Sequence, residues 1–153
     1  MLRHPSLRPL SRQHHFALSL CVLIRRELER ASPDLESLAG RTLRQFQTDI
    51  RDHFLLEEQI LFPAILAELG PMPVIGRLLG EHRRLGQLAD EIAAQKTPAA
   101  LAAFAQLLHD HVRLEENELF EHIQSRLGPE TLARLGEELA RGSGPSCGLT
   151  GNS

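Results

Sequence analysis

Residues 53–65 read HFLLEEQILFPAI, and residues 111–123 read HVRLEENELFEHI. Aligned without gaps, the two windows share His, Leu, Glu, Glu, Leu, Phe and Ile at matching places, seven identities in all. Helix packing calls for repeated apolar positions, but nothing in it requires a repeated histidine followed four residues later by a glutamate. Residues i and i+4 lie on one face of an α-helix with Cβ atoms about 5–6 Å apart, so each window can present an imidazole and a carboxylate together. Burying an isolated carboxylate costs several kcal/mol, and two in one core would be worse unless cations neutralise them. Metal ligation by His53 with Glu57, and by His111 with Glu115, resolves that conflict.

These pairs need rigid elements to hold them. Pro and Gly punctuate the chain into four long helical segments, while strand signals are nearly absent. The first helix is expected from about Ser6 or Leu10 to about Arg30. Ser32, Pro33 and Asp34 form a start signal for a second, with Ser32 accepting from free first-turn amides and Pro33 at the first helical position; Gly70 and Pro71 stop it. Pro63 lies inside that helix and predicts a kink beside Gln59 to Phe62. A third helix covers about residues 72–95. Thr97 and Pro98 open a fourth, which runs to about Leu127, and a shorter helix follows over about residues 129–140.

The expected fold is all-α: an antiparallel up-down-up-down four-helix bundle over residues 1–141, with the short C-terminal helix included and a flexible tail at 142–153. The stripes facing its core can be written down. The first carries Leu10, His14, Ala17, Cys21, Ile24 and Leu28; the second, Phe46, Ile50, His53, Glu57, Ile60 and Ala64. The third carries Leu78, His82, Leu85, Ala89 and Ile92; the fourth, Leu101, Phe104, Leu108, His111, Glu115, Glu118 and His122.

Every stripe thus contains a histidine. Four imidazoles and two carboxylates are too many for one tetrahedral zinc but suit two ions, with carboxylates bridging and imidazoles terminal. Mixed N/O ligation with open positions favours non-haem iron, with manganese or zinc possible. The candidate ligands are His14, His53, Glu57, His82, His111 and Glu115. In the first helix His14 shares the stripe of Leu10, Ala17 and Cys21, whereas the alternative, His15, leads toward Val22, Arg25 and Arg26. Glu58 and Glu116 sit about 100° around the helix from the ligands, as solvated groups or as supports behind them. Glu118 and His122 fall on the fourth stripe, but their counterparts in the repeat are Ile60 and Ala64, which favours an ion pair near the bundle end over an accessory role.

The words LSRQHH, HFLLEEQILFP, EHRRL and HVRLEENELF, in that order, resemble the hemerythrin-like, or HHE cation-binding, family over about residues 6–127. The resemblance implies a four-helix bundle with a non-haem di-iron centre that, in various members, binds dioxygen, responds to nitric oxide or iron, or takes part in repair of damaged iron centres. One departure matters. The oxygen carriers of the family place a second histidine one turn after the third-helix ligand, and here that position is Gly86. One iron is then expected to be less saturated, leaving room for water, dioxygen, nitric oxide or peroxide, which moves the expectation from reversible carriage toward sensing or redox turnover. The alternative is a store or buffer for iron or another divalent metal without redox turnover.

Composition bounds the rest. The 153 residues are 42% hydrophobic and 24% charged with a net charge of -3, enough for one domain with its own core. Basic residues are interleaved with acidic ones, and Trp and Tyr are absent, so neither a phosphate-tracking patch nor a base-stacking surface is expected, and no nucleic-acid partner. The run FALSLCVLI at 16–24 is followed by RRELER with no small-residue cleavage pattern, and no stretch approaches the roughly 20 apolar residues of a membrane span. Cys21 and Cys147 make no disulfide framework or metal spacing, which fits a reducing compartment and a cytoplasmic protein.

Overall fold

The computed structural model describes residues 2–143. Five helices account for most of them: α1 (Arg8–Leu28), α2 (residues 35–69), α3 (Pro73–Ala94), α4 (residues 98–126) and α5 (Pro129–Gly142). A single 3-10 turn, Pro5–Leu7, leads into α1. The short links at 29–34, 70–72 and 95–97 force successive helices to run antiparallel, and side-chain pairings show it. Arg3 meets Gln124 while His14 meets Glu116, and Gln13 meets His53 while Gln45 meets Phe16. The up-down-up-down bundle is therefore the observed fold. The tail expected from residue 142 lies, beyond Ser143, outside the described residues.

Helix boundaries follow local chemistry, with one correction. The cap of α2 is Asp34, whose carboxylate accepts from the amide of Ser37, and the helix begins at Leu35. Ser32 and Pro33 lie outside it, because a carboxylate three residues before a free amide already satisfies that donor. Thr97 and Pro98 act as expected: the Thr97 hydroxyl accepts from the amide of Ala100, and Pro98 opens α4. At the end of α2 the chain turns through Gly70 with φ of 79°, a backbone conformation that a side chain disfavours.

Long stretches of α2 and α4 are not plain α-helix. α2 contains π turns at Phe46–Ile50 and Glu57–Leu61, and α4 contains one at Glu115–Leu119. Where a kink is expected beside Pro63 the helix carries a π turn, and proline is not its general cause, since the same turn forms in α4 where Glu121 stands in the place of Pro63. Each π turn inserts one extra residue and rotates everything after it. The buried residues beyond Glu57 are accordingly Leu61, Phe62 and Ile65, and Ile60 and Ala64 are only half-buried. Beyond Glu115 they are Leu119, Phe120 and Ile123, so Glu118 and His122, placed on the core stripe by a constant helical period, are exposed.

The core is split in two. One apolar cluster holds Ala17, Cys21, Ile24, Ile50, Leu85, Leu88 and Leu108, and the other holds Leu7, Leu10, Leu61, Phe62, Leu78, Leu119 and Ile123. Between them lies a layer made of the six His and Glu side chains. α5 lies across the second cluster and pins the N-terminal turn, with Gly136 in close approach: a Cβ added there would come within 3.0 Å of Ser6 Oγ and 3.2 Å of Ser6 Cα. Replacing Gly136 by Val is expected to cost about 1–3 kcal/mol through overpacking, read as a fall in melting temperature of about 2–10 °C. An unchanged transition would mean that α5 does not press on the turn.

Candidate metal centre

All six expected ligands reach the central layer, and His14 is the first-helix member: it is 2% exposed, whereas His15 faces solvent. Glu57, His111 and Glu115 are fully buried, and His53 and His82 nearly so. The six form two overlapping groups, His14, His53, Glu57 and Glu115 on one side, and Glu57, His82, His111 and Glu115 on the other. Within each group one atom from every residue lies within 4.8 Å of the others. Both carboxylates belong to both groups. Glu57 Oε1 is 2.6 Å from His53 Nε2 while Oε2 is 3.0 Å from His82 Nε2; Glu115 Oε2 is 2.7 Å from His14 Nε2 while Oε1 is 3.3 Å from His111 Nε2. Each carboxylate therefore straddles two positions, as bridging groups do.

The donor set fits cations at those positions. These N···O separations are short, yet none has hydrogen-bond alignment: the four Nε2 atoms and all four carboxylate oxygens are buried without a hydrogen-bond partner. Eight orphaned polar atoms in a dry layer would be costly unless something bonds them all. The charges lean the same way. Burial opposes protonation of His111, but the Glu115 and Glu81 carboxylates outweigh it and push its pKa up to about 10. Burial works against His14 in the same manner, and Glu115, Glu116 and Glu57 hold it well above the usual histidine range. Burial would raise Glu57, and the surrounding imidazoles instead hold it well below the usual carboxylate range. Without a metal, protons supply the positive charge that the carboxylates require.

Behind each imidazole stands an acceptor for its other nitrogen. His14 Nδ1 is 2.7 Å from Glu116, His53 Nδ1 is 2.6 Å from Gln13, His82 Nδ1 is 3.3 Å from Glu58, and His111 Nδ1 is 2.9 Å from Glu81. Such partners fix the tautomer that leaves Nε2 free to coordinate. The pattern is regular. The residue after each shared carboxylate, Glu58 or Glu116, supports the histidine of α3 or α1, and the residue before each of those histidines, Glu81 or Gln13, supports the histidine of α4 or α2. Rings complete it, Phe62 stacking near His82 and Phe120 near His14. The seven identities of the repeat now each have a job: histidine and first glutamate in the central layer, second glutamate and phenylalanine around a neighbour's imidazole, and Leu, Leu and Ile in the apolar cluster below.

Glu116 is the most heavily held of these supports. Besides His14 it accepts from Ser11 Oγ at 2.6 Å and pairs with Arg3 at 2.8 Å. Burial favours its neutral form, but His14, Ser11 and Arg3 prevail and hold its pKa down to about 2. Gln13, Glu81 and Arg3 were not assigned from sequence. The first two were visible only as the residue preceding each histidine, in the words QH and EH, and Arg3 carries no motif. Nothing from Gly86 enters the layer, and a Cβ added there would meet no atom within 4 Å. Cys21 is buried, and burial pushes its thiol up to about 11, so it behaves as a small apolar side chain.

A four-helix bundle with this layer at its middle is a protein built around a metal centre. The chain belongs to the hemerythrin HHE cation-binding domain family, which matches residues 7–123. No curated protein and no solved structure matches it. Among the described residues no helix is long and apolar enough to cross a membrane.

Because His14 and His111 carry protons that a metal must displace, zinc added near neutral pH is expected to release protons into weak buffer, with apparent affinity rising as pH is raised. Proton-neutral binding would contradict the charge assignment. Glu116→Ala is expected to weaken metal binding about 10–100-fold, while Glu118→Ala, on the exposed side of the same turn, leaves it unchanged; equal affinities by competition with a chelator would remove Glu116 from the centre.

Proposed function

We propose that His14, His53, Glu57, His82, His111 and Glu115 hold two non-haem iron ions, and that the chain binds or senses dioxygen, nitric oxide or a related small molecule such as peroxide. The observation that carries this reading is the sharing of both carboxylates between two groups that each contain only two imidazoles. Each ion would receive four protein donors, fewer than six-coordinate iron accepts, and mixed N/O sites with open positions are those of non-haem iron. A di-iron pair, when bound, supplies one-electron chemistry and open positions at which a diatomic molecule can coordinate.

The chain's own residues do the rest. Glu57 and Glu115 would each contribute to both ion positions and offset part of the cations' charge. Glu116, Gln13, Glu58 and Glu81 keep the imidazoles oriented with Nε2 inward. The apolar clusters on either side bury the layer between them. Cys21, buried and unpaired, is compatible with the cytoplasm, where we place the protein.

The test is anaerobic iron loading of the full chain, followed by separate additions of dioxygen, nitric oxide and peroxide, watched by absorbance. Iron bound at the two positions and a new near-ultraviolet or visible band with at least one addition are expected. Tight iron binding with no spectral response to any of the three would select a metal store instead. Protein purified from iron-replete cells without stoichiometric transition metal would end both.

A further inference from the structure

The two halves of the bundle, α1–α2 and α3–α4, repeat each other around the central layer. Leu10 corresponds to Leu78, His14 to His82, Ile24 to Ile92, and the paired windows align α2 with α4. At two places beside the histidines the correspondence fails in volume. Phe54 lies flat on His82 with ring centroids 3.9 Å apart, and its counterpart beside His14 is Val112. Leu85, fully buried one turn beyond His82, corresponds to Ala17 beyond His14. Side-chain volume that covers the imidazole of α3 is missing over the imidazole of α1.

At these positions lies a cavity of about 480 Å³ whose lining includes Ala17 and Val112 together with His14, His53 and His111. Ile50, Phe54 and Leu108 supply the rest of its apolar interior, and the end of α5 closes one side. Apart from the imidazoles of the layer, the ionisable side chains of its wall stand at the mouth, where Arg12, Asp49 and Asp52 are exposed. A water occupies about 30 Å³ of liquid, so the space exceeds what a diatomic molecule uses by about an order of magnitude. It falls within the roughly 300–1,000 Å³ of pockets that enclose small organic ligands. Most of the wall between mouth and layer is apolar, so a charged group placed along it would lose its hydration without a partner there.

We infer that this cavity, opened by Ala17 and Val112 where Leu85 and Phe54 fill the other half, binds an uncharged, predominantly apolar organic molecule beside His14 and His53. Such a ligand has about ten to twenty non-hydrogen atoms, its polar end, if any, lying among Arg12, Asp49 and Asp52. The site deepens the metal reading, on which its position next to an ion rests, by naming the class of molecule that meets the centre.

The probe is the neutral fluorophore N-phenyl-1-naphthylamine, titrated into full-length protein loaded with zinc, whose metal content is measured on the same sample. Saturable binding of one probe per chain is expected, weakened tenfold or more by Ala17→Leu and by Val112→Phe with zinc content unchanged. Unsaturable fluorescence, or undiminished binding in both variants, overturns the inference. Should either variant fail to fold, the wild-type chain decides: with manganese in place of zinc the probe's proton resonances broaden if it lies beside the centre, and unbroadened resonances on a bound probe overturn the placement. Zinc uptake with no probe binding sinks the cavity alone, whereas variant-sensitive probe binding without metal uptake sinks the metal reading alone.

Discussion

Two carboxylates with no exposure, Glu57 and Glu115, occupy the middle of an otherwise apolar core, and the rest of the structure is arranged around that constraint. A buried carboxylate without a partner is among the most expensive groups a protein can hold. Here Glu57 is faced by imidazoles from three helices and Glu115 by imidazoles from two, and each imidazole is braced from behind. The layer divides the hydrophobic core into two clusters, so that the bundle is closed by apolar packing at both ends and by charge at its waist. Cations bound at the waist would offset that electrostatic liability.

Much of this was legible in the sequence, for identifiable reasons. The stripes of α1 and α3 follow a constant helical period, and their residues lie where that period puts them: Leu10, His14, Ala17, Cys21 and Ile24 on one, Leu78, His82, Leu85, Ala89 and Ile92 on the other, all buried, with Leu28 half-buried at the end of the first. The stripes of α2 and α4 hold only as far as Glu57 and Glu115. Past those residues a constant period points to Ile60, Ala64, Glu118 and His122, and the π turns shift the buried face by one residue. Amphipathic periodicity carries no marker for an inserted residue. The repeat itself held the signal, since its identities after the glutamates, Leu, Phe and Ile, are the residues that remain buried once the shift is made.

The supports behind the imidazoles were less legible, because each acts across helices. Glu58 and Glu116 are tied to histidines on other segments, and only the assembled bundle shows which. Assembly also exposes an inequality between the halves. His82 and His111 are both braced by carboxylates, which raise ligand basicity, whereas His53 is braced by the neutral amide of Gln13. His53, the one imidazole of the four without a carboxylate behind it, is also among the residues that line the open cavity.

The bracing scheme has a consequence for how the centre comes into being. α2 steadies the imidazole of α3, α4 steadies that of α1, and the residues preceding those two imidazoles steady the remaining pair in return. No single helix contains both a histidine and the group that aims it, and the His14–Glu116 pair joins the first helix to the last of the four. A chain with one rod out of place therefore loses one imidazole outright and the brace of another, so the full donor set exists only in the finished bundle.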